Sequence, residues 1–270
     1  MRRLATLLPA LALAFAALGA RADLLADIRS RGEIVVGVKD SVPPFGFIEE
    51  GSRRVVGYDI DFAAAIARGL GVRLRAVPVT TATRIPELQQ GKIDLIVATM
   101  TRTAQREEQI DFSFRYFVTG QKVLVKKSAR IAKVEQLSGR KVSSVRGSTS
   151  EQNIRAAVPA VQVVAFSDYP AAFLALSQGK VQAMTTDETI LLALQLKASA
   201  PSDYILLEGY ISEEPYGIGI RKGEAGLRDA VNRILLDLEE SGEAKKIYET
   251  WFGPKSQLPL KRSFRIESGK

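Results

Sequence analysis

Neither cysteine nor histidine occurs anywhere in the 270 residues. The lack of cysteine excludes disulfides, thiolate metal sites, a cysteine nucleophile and a lipid anchor attached through cysteine. The lack of histidine removes the usual general base and the commonest zinc ligand. Both absences argue against most hydrolases and metalloenzymes, and no cofactor or metal is expected. Clustered charge is missing as well. The formal charge is +8, but Lys and Arg are scattered, so nucleic acid is not an expected partner.

The one long apolar run lies at the beginning. Met1-Arg2-Arg3 is basic, residues 4–20 are almost unbroken Leu, Ala, Phe and Gly, and Ala20-Arg21-Ala22 is a small-x-small site before Asp23. That order is the pattern of a secretory signal peptide, with cleavage expected after Ala22. The run is slightly short for a membrane span, which takes about 20 residues. Losing Arg2, Arg3 and Arg21 would lower the formal charge from +8 to +5 and leave 248 residues, enough for one large domain or two modest ones.

Beyond the leader, short strands and helices alternate. Residues 33–38 read as a buried strand, and Asp59 is placed to cap a helix over 60–70. Further strands are expected at 72–79, 93–98, 123–126, 141–145, 161–165 and 181–185. Helices are expected at 84–90, near 150–157, 170–178 and 188–196, and in one long stretch from 226 to 251. Repeated βα units imply parallel sheets covered by helices. Leu88-Gln89-Gln90-Gly91-Lys92-Ile93 and Leu176-Ser177-Gln178-Gly179-Lys180-Val181 share one helix–turn–strand pattern. Two lobes of similar construction fit it, as does a common helix-stop turn.

Several segments combine strand ends with polar groups. Thr99, Thr101 and Thr103 end a strand and lead into a helical turn bearing Arg106, where hydroxyls, free N–H groups and a guanidinium could hold a carboxylate. A capped helix with a solvated Arg fits those residues equally well. Gly147-Ser148-Thr149-Ser150-Glu151 fits a capping box, and Thr149 could still offer its amide and hydroxyl to an anion. Asp187 follows a strand and precedes a helix, the ordinary place of a cap. Lys39 closes the first strand at its carboxyl end, where open α/β sheets place ligands, though a lone Lys, like Arg84, is more often a solvated charge.

In order and spacing these pieces resemble the extracellular solute-binding proteins of family 3, the polar amino acid receptors of ABC importers. The resemblance rests on Pro43-Pro44-Phe45, Gly57-Tyr58-Asp59-Ile60-Asp61, Arg84-Ile85-Pro86, Thr99-x-Thr101-x-Thr103-x-x-Arg106, Asp111-Phe112-Ser113, Gly147-Ser148-Thr149, Thr186-Asp187 and Trp251-Phe252-Gly253. It implies a type II periplasmic binding-protein fold of two α/β lobes, each a mostly parallel sheet covered by helices, joined by two crossover strands. The first lobe would take 23–117 and 216–270, the second 121–212. The implied product is a periplasmic monomer that hands an amino acid to a membrane permease.

The resemblance also assigns roles. Arg106 and Thr101 would hold the ligand α-carboxylate, Thr149 would complete that site on closure, and Asp187 would take the α-ammonium with the carbonyl of Thr99. Phe45 would pack at the cleft entrance or against the ligand's stem. Lys39 stands where receptors for basic amino acids carry Asp, which argues against Lys, Arg or ornithine as ligand. Receptors for glutamate and aspartate are basic there, and Arg84 and Thr81 match further contacts. They carry Arg in place of Lys39, however, and His in place of Tyr169. Glutamate or aspartate therefore leads, followed by glutamine or another polar amino acid. The same fold resembles periplasmic cyclohexadienyl dehydratases, an enzymatic alternative, and sensory domains, which would here need a separate membrane partner.

Overall fold

The computed structural model describes residues 23–268. The expected signal peptide, residues 1–22, lies outside the described residues. In chain order the first part holds α1 (Leu24–Arg31), β1 (Glu33–Val38), β2 (Ser41–Val42), β3 (Gly46–Ile48), β4 (Val55–Val56), α2 (Tyr58–Leu70), β5 (Arg73–Pro78), α3 (Arg84–Gln89), β6 (Leu95–Ile96) and α4 (Ala104–Glu107). A 17-residue strand, β7 (Ile110–Lys126), leads to β8 (Lys141–Val145), α5 (Thr149–Ala157), β9 (Gln162–Phe166), α6 (Tyr169–Ser177), β10 (Ala183–Asp187), α7 (Glu188–Leu196) and β11 (Tyr204–Leu206). The chain returns along β12 (Ser212–Arg221) and ends in α8 (Ala225–Glu240), α9 (Glu243–Phe252) and an irregular tail.

The sheet order is β5-β1-β6-β12-β7-β10-β8-β9, with β11 on β7. β5, β1 and β6 are mutually parallel, as are β10, β8 and β9. Between these groups run β7 and β12, antiparallel to each other over Ile110–Arg221 to Gln121–Ser212, with register shifts at Tyr216 and Gly217. The molecule is thus two-lobed, with two crossover strands between two parallel groups. A small sheet, β2-β3-β4, packs beside the first lobe.

Three of the differences from the sequence expectation bear on the cleft and its supports. Only residues 123–126 of β7 are legible as strand, because its buried face changes as it passes from one lobe to the other and the alternation breaks. The expected helix over 226–251 is two helices, since Gly242 takes φ +79°, a left-handed turn that favours glycine. Asp59 does not cap α2. Gly57 occupies that position, and Asp59 sits inside the first turn, fully buried.

Apolar side chains fill both lobes. One cluster of the first lobe joins Val35, Leu88, Ile93, Met100 and Phe112, and one of the second joins Val125, Leu137, Val142, Ile154 and Val161. Where the crossover strands meet α2 and α9, the core is aromatic. Phe117 packs on Phe45, Tyr58, Tyr216, Tyr248 and Phe252, with ring centroids 4.9 to 6.2 Å away. Each such pair adds roughly 0.5–1.5 kcal/mol beyond burial, which stiffens the ground on which the lobes meet.

Candidate functional site

The cleft between the lobes is assembled from strand ends and helix starts. β1 delivers Lys39, whose ammonium donates to Thr81 Oγ1 at 2.9 Å and, more weakly, to the Val79 carbonyl at 3.4 Å. The first residue of α3, Arg84, donates to the carbonyls of Ala98 and Thr99. Thr103 caps α4 through its side chain and so orients Arg106. The Arg106 guanidinium donates to the Thr101 carbonyl at 2.8 Å and, across the cleft, to the Gly147 carbonyl at 3.1 Å.

That last bond holds the lobes together. Gly147 has φ +77°, and a Cβ there would meet the Ala82 Cα at 3.2 Å, so the loop of the second lobe lies on that of the first. Both the conformation and the approach favour glycine.

The second lobe faces these cations with acceptors. Asp187 accepts the Tyr216 hydroxyl and makes no capping bond to α7. At the N-terminus of α5, Ser148 is the cap, while Thr149 Oγ1 donates to the Glu214 carboxylate at 2.7 Å. The Thr149 hydroxyl proton is therefore committed to Glu214, and the backbone amide is the donor left for an anion. Tyr169 is buried at the start of α6. Beside Lys39, Thr81 and Tyr169 opens a cavity of about 370 Å³.

Eight of the nine expected residues, Lys39, Thr81, Arg84, Thr99, Thr101, Arg106, Thr149 and Asp187, are buried polar groups of this one region. Phe45 is not among them. Its ring is wholly buried in the aromatic core, against Tyr58, Phe117, Tyr216 and Phe252. Asp59, Glu214 and Tyr216 were missed. Asp59 is flanked by apolar positions of an amphipathic helix, a sign of burial that could have separated it from a cap. Glu213-Glu214-Pro215 carries no signal distinguishing it from a solvated turn.

Burial governs the electrostatics. It holds the Lys39 ammonium well below the usual lysine range, helped by the charge of Arg84. Arg106 is lowered to about 9 by burial and then by Arg84, with Glu214 opposing. Asp187 is raised to about 7 by burial and by Glu214, against the pull of Tyr216, Arg84 and Arg106. Among the described residues, no carboxylate comes within ion-pair distance of Lys39, Arg84 or Arg106. Arg84 Nε, Thr99 Oγ1, Ser150 Oγ and Thr186 Oγ1 are buried without a hydrogen-bond partner. Unpaired buried cations and orphaned polar atoms are costly, and a ligand carboxylate is the kind of group that the cations lack.

Comparison with known proteins is consistent with this geometry. The sequence profile of the bacterial extracellular solute-binding proteins, family 3, matches residues 34–254. The chain is 43% identical over 233 residues to the ABC transporter glutamine-binding protein GlnH of Bacillus subtilis, covering 85% of this chain and 84% of the relative. It is 30% identical to the L-glutamate/L-aspartate-binding protein of Pseudomonas aeruginosa, covering 84% and 79%. Among solved structures, an ancestral arginine-binding protein bound to glutamine superposes with a TM-score of 0.78 at 41% identity, covering 83% of this chain and 99% of that one.

Proposed function

The chain belongs to the bacterial extracellular solute-binding proteins, family 3, and from that premise we propose that it captures an amino acid with an acidic or amide side chain, glutamate or aspartate first and glutamine second, outside the inner membrane for an ABC importer. The lobes are taken as 23–117 with 216–270, and 121–212.

One observation carries the ligand class. Lys39, Arg84 and Arg106 are three buried cations with no carboxylate in ion-pair contact among the described residues. Arg106 and the Thr149 amide suit the α-carboxylate, which every amino acid has. Asp187 suits the ammonium. Lys39, with Thr81 beside it, is then left for the side chain. A second carboxylate neutralises that cation, an amide oxygen merely accepts from it, and a basic side chain would face it unpaired. The identity to a glutamine-binding protein keeps glutamine as the specific competitor.

Calorimetric titration of refolded, ligand-stripped protein against the twenty amino acids tests the reading. Binding of glutamate or aspartate more tightly than glutamine supports the order given. Binding of glutamine alone reverses it, and tight binding of lysine or arginine refutes the role of Lys39. The dehydratase alternative predicts aromatic product from prephenate or arogenate, and relatives named as transport binding proteins do not favour it.

A further inference from the structure

Glu214 lies on crossover strand β12, is 1% exposed, and is not among the residues assigned to ligand contact above. Its carboxylate accepts from Ser212 Oγ at 2.6 Å, Thr149 Oγ1 at 2.7 Å and Asn153 Nδ2 at 3.2 Å. Asn153 also donates to Gln121 Oε1 on β7 at 3.0 Å, and Gln121 Nε2 donates to the Ser150 carbonyl at 3.1 Å. The first turns of α5 are thereby tied to both crossover strands, and the carboxylate is fixed in place by three neutral donors.

Two consequences follow from simple chemistry. A hydroxyl has one proton, and that of Thr149 goes to Glu214, so its remaining lone pair is what the side chain offers elsewhere. The Glu214 carboxylate also stands two residues from Tyr216 on the same face of β12, and Tyr216 donates to Asp187, so it adds to the acidic side of the second-lobe wall while the cations stand on the first. We propose that Glu214 is a specificity-determining positioning residue: it holds the Thr149 hydroxyl as an acceptor and reinforces Asp187, making this wall selective for an ammonium group. The assignment deepens the amino acid reading and rests on it.

The test uses the purified protein and whichever amino acid it binds, paired with the ammonium-free analogue, glutarate for glutamate or glutaramate for glutamine. At pH 8.5, Glu214→Gln should weaken the amino acid on the order of tenfold and leave the analogue, measured by competition, within about twofold. The acid midpoint of binding should also move to lower pH. Asp187 faces Glu214, Arg84, Arg106, Tyr169 and Tyr216, and Glu214 is the one neighbour removed. An unchanged amino acid affinity, an equal loss for both ligands, or an unmoved midpoint overturns the proposal. If the analogue binds neither protein, the midpoint decides. Thr149→Val repeats the ligand comparison without touching the Glu214 carboxylate, should the first variant not fold. If the unaltered protein binds none of the amino acids, the reading of the cleft fails; if it binds one and the variants keep its selectivity, only the role of Glu214 fails.

Discussion

The Asp59 carboxylate accepts the backbone N–H of Thr99 at 2.9 Å, joining α2 to the strand end that carries the cleft threonines. Its other oxygen accepts the Tyr116 hydroxyl at 2.7 Å. Thr99 itself has φ +47°, a conformation unusual for a β-branched residue, and its carbonyl accepts from Arg84 at 3.0 Å. Asp59 thus holds a strained residue in the conformation that Arg84 requires. Asp59→Ala should lower the unfolding free energy by about 2–5 kcal/mol, since two buried donors lose their acceptor. Ligand affinity should fall in parallel. Urea unfolding and calorimetry read both, and an unchanged midpoint would show that the strand holds Thr99 unaided.

Arg106→Ala removes a guanidinium bonded to both lobes. Binding of every amino acid should be lost, because each shares the α-carboxylate. The cross-cleft bond to Gly147 disappears as well, so small-angle scattering should report a more open molecule. Binding that survives with altered selectivity would place the α-carboxylate elsewhere.

Lys39→Asp separates the two candidate ligands. Reversing the charge should weaken glutamate or aspartate by 100-fold or more, on the order of 3 kcal/mol for a lost buried pair. Glutamine should suffer far less. Equal losses would remove Lys39 from selectivity and reduce it to a neighbour of Thr81.

Acid and base also enter through stability. Asp59 and Asp187 are both raised from 3.8 to about 7 by burial, the latter also by Glu214. Between about pH 4 and 7 the folded state therefore binds more protons than the unfolded one. The stabilisation from protonation is full below about pH 4 and is lost as pH rises through 7. Ligand-free protein should become less stable from pH 5 to pH 7, with a slope of at most about 1.4 kcal/mol per pH unit for each carboxyl. Lys39, lowered by burial, has the opposite sign. Comparison with Asp187→Asn isolates one carboxyl: the variant should show the flatter profile in denaturant unfolding across this range.

The legible features were those carried by local pattern. Strand ends, caps and hydroxyl-rich turns are short-range, so Thr99, Thr101, Arg106, Thr149 and Asp187 could be noticed along the chain, while only the family resemblance turned them from caps into ligand contacts. Two kinds of information were hidden. Long-range pairing decides that Glu214 meets Thr149 across 65 positions and that Asp59 meets Thr99 across 40. A change of packing partner along one strand conceals β7, whose residues answer to one core and then to another. Tyr216 belongs to the first kind, since only the crossing of β12 and the sheet end at β10 brings it to Asp187.

Phe45 is the expected site residue that the structure places in the aromatic core. It follows Lys39 by six positions, yet its ring is buried against four others, with the Phe117 centroid at 4.9 Å and nearly perpendicular. The β2–β3 turn sets it against α2, where the Tyr58 N–H donates to the Pro44 carbonyl, while the following Gly46 packs on the Lys39 backbone. Its visible contribution is burial and edge-to-face packing. Phe45→Ala should cost about 3–5 kcal/mol of stability. Phe45→Leu should recover much of that, because volume matters more than aromatic character at a filled site. Neither change should alter the ratio of glutamate to glutamine affinity in the folded fraction. Were Phe45→Leu to leave stability intact and shift that ratio, the ring would have to reach the cleft, and its place in the core would need revision.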